Sequence, residues 1–327
     1  MKRKNNLYPN IYKFYNIMQA FDEVCRNTKN KRKVANYKEN KCVYISRIYQ
    51  TLKNKTYEVG PYNVFTIYEP KKRRIVSQNI HDKIINHLVA RYILYPALLP
   101  CLIPENVASR KNKGTKEGLR LANLYNRKCK IKYKSYYILK CDISKFFASI
   151  NQDILKKKLK KKIKDEDALN IVFKIIDSEE EGLGIGNMTS QVLAIFYLND
   201  MDHFIKETLK IKYYVRYQDD FLLFHHSKQY LKYCLSEISK FLEKEKLTLN
   251  KKSRIYKNTN NFIFLGRTPD GKYAKYRNLN RKLKHKDYLY RTGKIPLLNY
   301  VSSLISYDTV RKKVVIVLNP KNWTFFD

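Results

Sequence analysis

The stretch Lys212-Tyr-Tyr-Val-Arg-Tyr-Gln-Asp-Asp-Phe-Leu-Leu-Phe224 constrains this chain more than any other, because two apolar and aromatic runs meet at an adjacent pair of carboxylates, Asp219 and Asp220. Tyr, Val, Phe and Leu suit a pleated, half-buried surface, and Gln-Asp-Asp supplies turn formers, so the stretch reads as a β-hairpin with acid at its tip. Carboxylates held on rigid strands are hard-oxygen ligands for Mg²⁺, which leaves its other positions to water or phosphate. Tyr-x-Asp-Asp alone could also be an ordinary acidic turn in a Tyr-rich chain, so the remaining sequence has to decide.

A second strand, Tyr136-Tyr-Ile-Leu-Lys-Cys-Asp142, also ends in a carboxylate. After it come Ile-Ser-Lys-Phe-Phe147 and a helix from about Asp153, with Leu155, Leu159 and Ile163 as its apolar stripe and lysines on its other faces. Gly182-Leu-Gly-Ile-Gly-Asn-Met-Thr-Ser-Gln191 lacks both the dinucleotide fingerprint and the lysine of a P-loop. It reads as a flexible loop whose backbone lies close to a ligand, capped by Asn187, Thr189 or Ser190 into a helix over about 190–209. Adjacent antiparallel strands would bring Asp142 beside the hairpin tip, where carboxylates remote in sequence converge on a pair of metal ions.

The charge balance names the kind of partner. Lys and Arg number 67 against 29 Asp and Glu, a formal charge of +38, mixed with 28 Tyr and 15 Phe. A phosphate-bearing polymer is implied, with rings available for base stacking. The six cysteines show no metal or disulfide spacing, the basic start has no apolar run after it, and no stretch approaches the length of an apolar span. A cytoplasmic protein without membrane contact is therefore expected.

Along the chain, residues 1–58 read as basic helices with Leu7, Ile11, Phe14, Ile17 and Phe21 at helical spacing. Asn63–Pro70 and Ile75–Ser77 read as strands around the turn Lys71-Lys-Arg-Arg74, a basic hairpin suited to phosphate. A helix is expected over 80–99, with His81 and His87 as structural residues. Arg110-Lys-Asn-Lys-Gly-Thr115 is a basic loop before a helix start. A helix is expected over 229–245, a short strand over 261–267, and a small basic lobe with Tyr273, Tyr276, Tyr288 and Tyr290 after it.

Taken in order, these motifs resemble those of a reverse transcriptase over roughly residues 5–285. Tyr217-Gln-Asp-Asp220 is similar to the family's Tyr-x-Asp-Asp motif, and Asp142-Ile-Ser-Lys-Phe-Phe147 to its first catalytic motif. Gly182–Gln191 resembles the nucleotide and template loop in the Gly-Asn-x-Thr-Ser-Gln form of bacterial diversity-generating retroelements and defence-associated, retron-like and group II intron-like relatives. Phe264-Leu-Gly266 resembles the primer grip, and the two basic segments resemble the fingers motifs.

The resemblance implies an α+β right-hand polymerase with an antiparallel palm sheet and helical fingers and thumb. Its parts would be N-terminal helices and fingers over 1–135, a palm with finger insertions over 136–268, and a thumb-like basic lobe over 269–327. It implies catalytic and metal-binding roles for Asp142, Asp219 and Asp220, two Mg²⁺ ions with Mn²⁺ as an alternative, and nucleotide contacts from Lys72, Arg73, Arg74, Phe147 and Gln191. Phe147 would be the gate against a ribose 2′-hydroxyl, and Lys251 or Lys252 would protonate the leaving group. Template and primer contacts would come from Arg110, Lys113, Gly186, Asn187, Ser190, Tyr217, Leu265 and Gly266. The implied partners are a structured non-coding RNA template, a DNA product and dNTPs, with a small accessory protein or a second copy of the chain besides. The rival readings are a viral-type RNA polymerase, against which Phe147 argues; a catalytically silent RNA-binding scaffold, against which the intact carboxylates argue; and a template-independent DNA polymerase on the same palm.

Overall fold

The computed structural model describes residues 2–28, 30–67, 73–133, 135–258, 262–268, 279–297 and 299–301. Two compact units emerge, residues 1–64 with 75–259, and residues 65–74 with 260–327. The boundary expected at residue 135 thus falls inside the first unit.

In chain order the first unit carries α1 (Phe14–Asn27), α2 (Lys31–Glu39) and α3 (Lys41–Lys53), and strands β1 (Asn63–Ile67) and β2 (Arg73–Ser77) pair where the chain crosses between units. Then come α4 (Ile80–Val89), a π-helical turn (Ala90–Leu94), α5 (Tyr95–Leu98), α6 (Thr115–Lys132) and strand β3 (Tyr137–Cys141). α7 (Phe146–Ser149), α8 (Gln152–Lys160), α9 (Glu166–Asp177), α10 (Met188–Tyr197) and α11 (Asn199–His203) lead to the hairpin β4 (Tyr213–Tyr217) and β5 (Asp220–His225). α12 (Lys228–Lys244) and β6 (Arg254–Lys257) complete the unit, and the second unit contains α13 (Leu279–Arg291).

The four-stranded antiparallel sheet has the order β4-β5-β3-β6. Cys141 pairs with Phe221 and Tyr217 with Asp220. Continuing the register by one residue sets Asp142 opposite Asp220, so the end of β3 meets the hairpin tip. The strands are buried on both faces: Ile138, Leu139, Cys141, Val215, Leu222 and Leu223 have no exposed surface. This is why they read as apolar runs rather than as alternation. α10 is buried from Thr189 to Tyr197 apart from the exposed Gln191, which makes it the central helix of the unit.

Several helices start at side-chain caps. Asn79 accepts from the N–H of Asp82, Asn151 from Ile154, Asp165 from Ala168 and Ser227 from Tyr230. Each cap satisfies an amide that the first turn leaves without a partner.

Some expectations are revised. Residues 80–101 form one helical run of mean hydropathy 1.2, long and apolar enough to cross a membrane by length and composition. Here Ile84, Ile85, Leu88, Val89, Ile93 and Leu94 all point into the protein core. The helix expected over 190–209 ends at Tyr197 and resumes as α11 and a π-helical turn. α9 and β6 have no counterpart in the sequence reading, and Phe264–Arg267 is a tight turn closed by one bridge rather than a strand. Of the five residues at helical spacing near the start, Phe14 is 54% exposed while the other four are buried. Tyr273, Tyr276 and most of the C-terminal lobe lie outside the described residues.

Candidate active site at the hairpin tip

β4 and β5 are joined by the two-residue turn Gln218–Asp219, with Gln218 left-handed at φ +55°. Such a conformation costs a non-glycine residue about 1–2 kcal/mol, so the surroundings must hold it. Arg216 does much of this. Its guanidinium is fully buried, donates Nε (2.7 Å) and Nη2 (2.6 Å) to the two oxygens of the equally buried Asp202, and donates Nη1 to the carbonyl of Gln218 at 2.8 Å. Nη2 also reaches the Ile195 carbonyl of α10 at 2.9 Å, and Tyr214 Oη donates to Asp202 at 2.6 Å. A charge in a dry interior survives only when paired and hydrogen-bonded, and this pair ties the turn to the central helix.

The carboxylates sit on this scaffold. Asp142 is fixed from the α12–β6 connection: Asn250 Nδ2 donates to its Oδ2 at 2.8 Å, and the Asn250 N–H donates to its carbonyl at 2.7 Å. Asp219 lies within hydrogen-bonding reach of Asp142, and burial together with that neighbouring charge pushes its carboxyl up to about 6. Asp220 is likewise raised to about 6 by burial, against the opposing pull of Lys140, whose Nζ lies 3.1 Å from its Oδ2. Oδ1 of Asp220 is buried without a hydrogen-bond partner.

Among the described residues no three His, Cys, Asp or Glu side chains are gathered as ready ligands, and Asp220 pairs with Lys140. The donor set nonetheless fits a hard divalent cation. Two half-buried carboxylates press on each other beside an orphaned buried oxygen, and a bound cation relieves both strains.

The glycine-rich loop is pressed against the residues after Asp142. Gly182 has φ +60°, and a Cβ there would lie 2.2 Å from the Phe147 carbonyl oxygen and 2.7 Å from the Ala148 backbone. The Leu183 N–H donates to that same carbonyl at 2.8 Å. Gln152 Nε2 lies 3.0–3.1 Å from the carbonyls of Ile176, Glu179 and Gly182 and so gathers the loop. Phe147 is half-buried, its ring 5.6 Å from that of Phe146.

The other expected residues are distributed as follows. Gln191 is exposed on α10 and accepts from Ser109 Oγ at 3.2 Å, while Gln218 Nε2 donates to Ser109 at 3.0 Å. Ser109 thus joins the hairpin turn to the helix after the glycine-rich loop. Gly186 is exposed, and Asn187 and Ser190 are buried. Asn187 stands at the helix start without capping it; its Nδ2 donates to Glu179 Oε1 at 3.4 Å. Tyr217 is half-buried at the end of β4.

Arg110 and Lys113, expected on nucleic acid, turn inward. Arg110 Nη1 donates to the carbonyls of Ile103 (2.7 Å) and Asn106 (2.9 Å), and Lys113 donates to that of Pro104, because this irregular loop leaves those acceptors without strand partners. Lys251 and Lys252 are exposed in the turn before β6. Leu265 and Gly266 form a tight turn with φ +49° and +77° in the second unit. Lys72 lies outside the described residues, and for Arg73 and Arg74 only the β2 backbone is described.

Arg216, Asp202, Ser109 and Gln152 were not found from the sequence. Arg216 had a signal, a lone cation inside an apolar strand, which demands a buried partner.

Residues 52–268 match the family model described as reverse transcriptase (RNA-dependent DNA polymerase). Among solved structures, that of apo telomerase from Candida tropicalis truncated from its C-terminal domain is similar, with TM-score 0.50, 17% identity and 63% of this chain covered. The chain spans about half, 52%, of that telomerase chain. The likeness is one of fold, the right-hand polymerase. No curated protein matches the chain.

Proposed function

The chain belongs to the reverse transcriptase (RNA-dependent DNA polymerase) family, and from that premise we propose that it is an RNA-directed DNA polymerase copying a dedicated, structured non-coding RNA into DNA. The observation that carries this reading is the meeting of Asp142 with Asp219 at the end of β3 and the tip of the β4–β5 hairpin. Asp142 and Asp219 are the proposed ligands of two Mg²⁺ ions, with Mn²⁺ able to substitute, and Asp220 supports them. When bound, such ions lower the barrier to in-line attack of a primer 3′-hydroxyl on a dNTP and offset the charge that develops.

The chain's own residues position the reactants. Asn250 fixes the Asp142 carboxylate, and the Arg216–Asp202 pair holds the turn carrying Asp219. Phe147, braced by Gly182, is the flat ring proposed to face the nucleotide sugar, and Gln191, oriented by Ser109, is proposed to face the template or incoming base.

The proposed setting is cytoplasmic and bacterial, either antiviral defence or a diversity-generating retroelement, with a small accessory protein or a second copy as further partner. The test is sequencing of RNA and DNA co-purifying with the wild-type chain beside an Asp142→Asn, Asp219→Asn variant. Complementary DNA with wild type alone supports templated synthesis and identifies the template. Equal RNA with both and DNA with neither overturns it in favour of a binding scaffold.

A further inference from the structure

The lysine run after Leu155 reads in sequence as a solvated helix face, but the structure sorts its members. Lys156 pairs with Asp177, and Lys158, largely buried, pairs with Asp200 and Glu245 at 3.0 Å each. Lys160, Lys161 and Lys164 are exposed and have no acidic partner among the described residues.

To these the fold adds a second basic segment from the far end of the sequence. Lys4 donates its N–H to the Lys162 carbonyl at 2.8 Å and accepts from the Lys164 N–H at 2.7 Å, a parallel bridge opposite Ile163. Asp165 closes the clasp: its Oδ2 accepts from the N–H groups of Leu7 (2.7 Å) and Tyr8 (2.9 Å), while Oδ1 caps α9. Lys2, Arg3 and Lys4 are exposed, with Lys4 held on the Lys162–Lys164 backbone that follows the exposed Lys160 and Lys161.

Six like charges on segments joined by backbone bonds repel one another within a Debye length of about 8 Å, and none of the six forms an ion pair among the described residues, with Asp165 and Glu166 as the acids that follow them in the chain. Such a surface is completed by an anionic polymer, whose phosphates release counterions on binding. A membrane is a poorer fit. An interfacial surface needs apolar side chains to insert, and the exposed large apolar residues, Phe14, Tyr15, Val43 and Ile131 among them, do not lie in either segment.

We propose that the clasped segments Lys2–Lys4 and Lys160–Lys164 form a binding surface, separate from the carboxylate site, for the phosphate backbone of RNA. It rests on the reading of the chain as an enzyme that holds an RNA template, and it assigns part of that hold to a surface without base recognition. Three residues in extended form span about 10 Å, enough to follow about three phosphates of one strand at about 3.4 Å each.

The test is the salt dependence of binding to a short RNA hairpin, measured with the full chain. Compared with wild type are Lys160→Gln/Lys161→Gln/Lys164→Gln, Lys2→Gln/Arg3→Gln/Lys4→Gln, and a control with the same charge loss on α6, Arg127→Gln/Lys128→Gln/Lys130→Gln. The log-log slope is expected to flatten by about 2–2.7 for either surface variant, at about 0.7–0.9 for each of about three phosphate contacts, and by less than about half of that for the control. Unchanged slopes overturn the proposal, and so do equal losses in all three variants, which would mean diffuse attraction. Loss of binding to phosphatidylserine vesicles with RNA binding retained overturns it in favour of a lipid surface. Circular dichroism of each variant confirms folding, and the single-segment variants check one another if one fails to fold. Incorporation of dTTP by wild type on poly(rA)–oligo(dT) is scored separately. Its failure counts against the polymerase reading, whereas the slopes judge the surface.

Discussion

Gly182 has no tolerance for a side chain, since the missing Cβ would meet the Phe147 carbonyl oxygen at 2.2 Å and φ is +60°. Backbone cannot swing aside as a flexible side chain can, so Gly182→Ala must displace either the loop or the segment carrying Phe147. We expect a loss of about 2–3 kcal/mol in stability together with a raised KM for dNTPs, read by urea unfolding and steady-state primer extension. Unchanged values of both would remove Gly182 as the brace. At Asp219 the expected sign is opposite. Its carboxyl is raised to about 6 by burial beside Asp142, so at pH 7.5 and without divalent ions it is charged where the fold disfavours charge. Asp219→Asn is then expected to raise stability in EDTA by about 1–2 kcal/mol and to abolish the stabilisation that Mg²⁺ gives to wild type. A variant that melts lower than wild type in EDTA would refute this.

Among the elements, the catalytic hairpin depends on a buried ion pair. Removing one partner of such a pair strands the other, whereas replacing both with apolar groups is often close to neutral. Arg216→Met is therefore expected to cost about 3–5 kcal/mol, and Arg216→Met with Asp202→Leu to recover a large part of it. The double variant still loses the donor to the Gln218 carbonyl, so its kcat should stay low after stability returns. Full recovery of activity with stability would show that the pair serves folding alone. The same elements show what was legible in the sequence. β3, β4 and β5 announce themselves because strands buried on both faces are continuous apolar runs, and the carboxylates stand at their ends. Asp202 and Asp165 did not, since an acid among solvated charges looks the same whether it is exposed or clasps amides more than 150 positions away, as Asp165 does with Leu7. β6 was missed because Arg254-Ile-Tyr-Lys257 is half exposed and has no apolar run to mark it. The carbonyl contacts of Arg110 and Lys113 were not legible, since charge points to phosphate but does not show which carbonyls lie nearer in the fold.

For the whole molecule, opposing titrations set the response to pH. Burial lowers His81, His87 and His225 below their usual 6.5. The unfolded chain then binds more protons than the folded one below about 6.5, and these groups withdraw stability as pH falls through that value. Asp219 and Asp220 act in reverse: with folded values near 6 against 3.8, the folded state takes up protons first, and acidification from above 6 toward 4 returns stability. Without divalent ions the two trends oppose each other in one window, so stability should change little between pH 7 and pH 5. A bound cation favours the ionised carboxylates and pulls their values down, which turns the second trend to the sign of the first. In Mg²⁺ the chain should therefore be more stable at pH 7.5 and lose stability faster on acidification, by about 1–2 kcal/mol more over the two units. Melting curves at pH 7.5, 6 and 5 in EDTA and in Mg²⁺ decide it. Parallel pH profiles would mean that Asp219 and Asp220 do not meet the ion, and the proposed ligand set would fall with them.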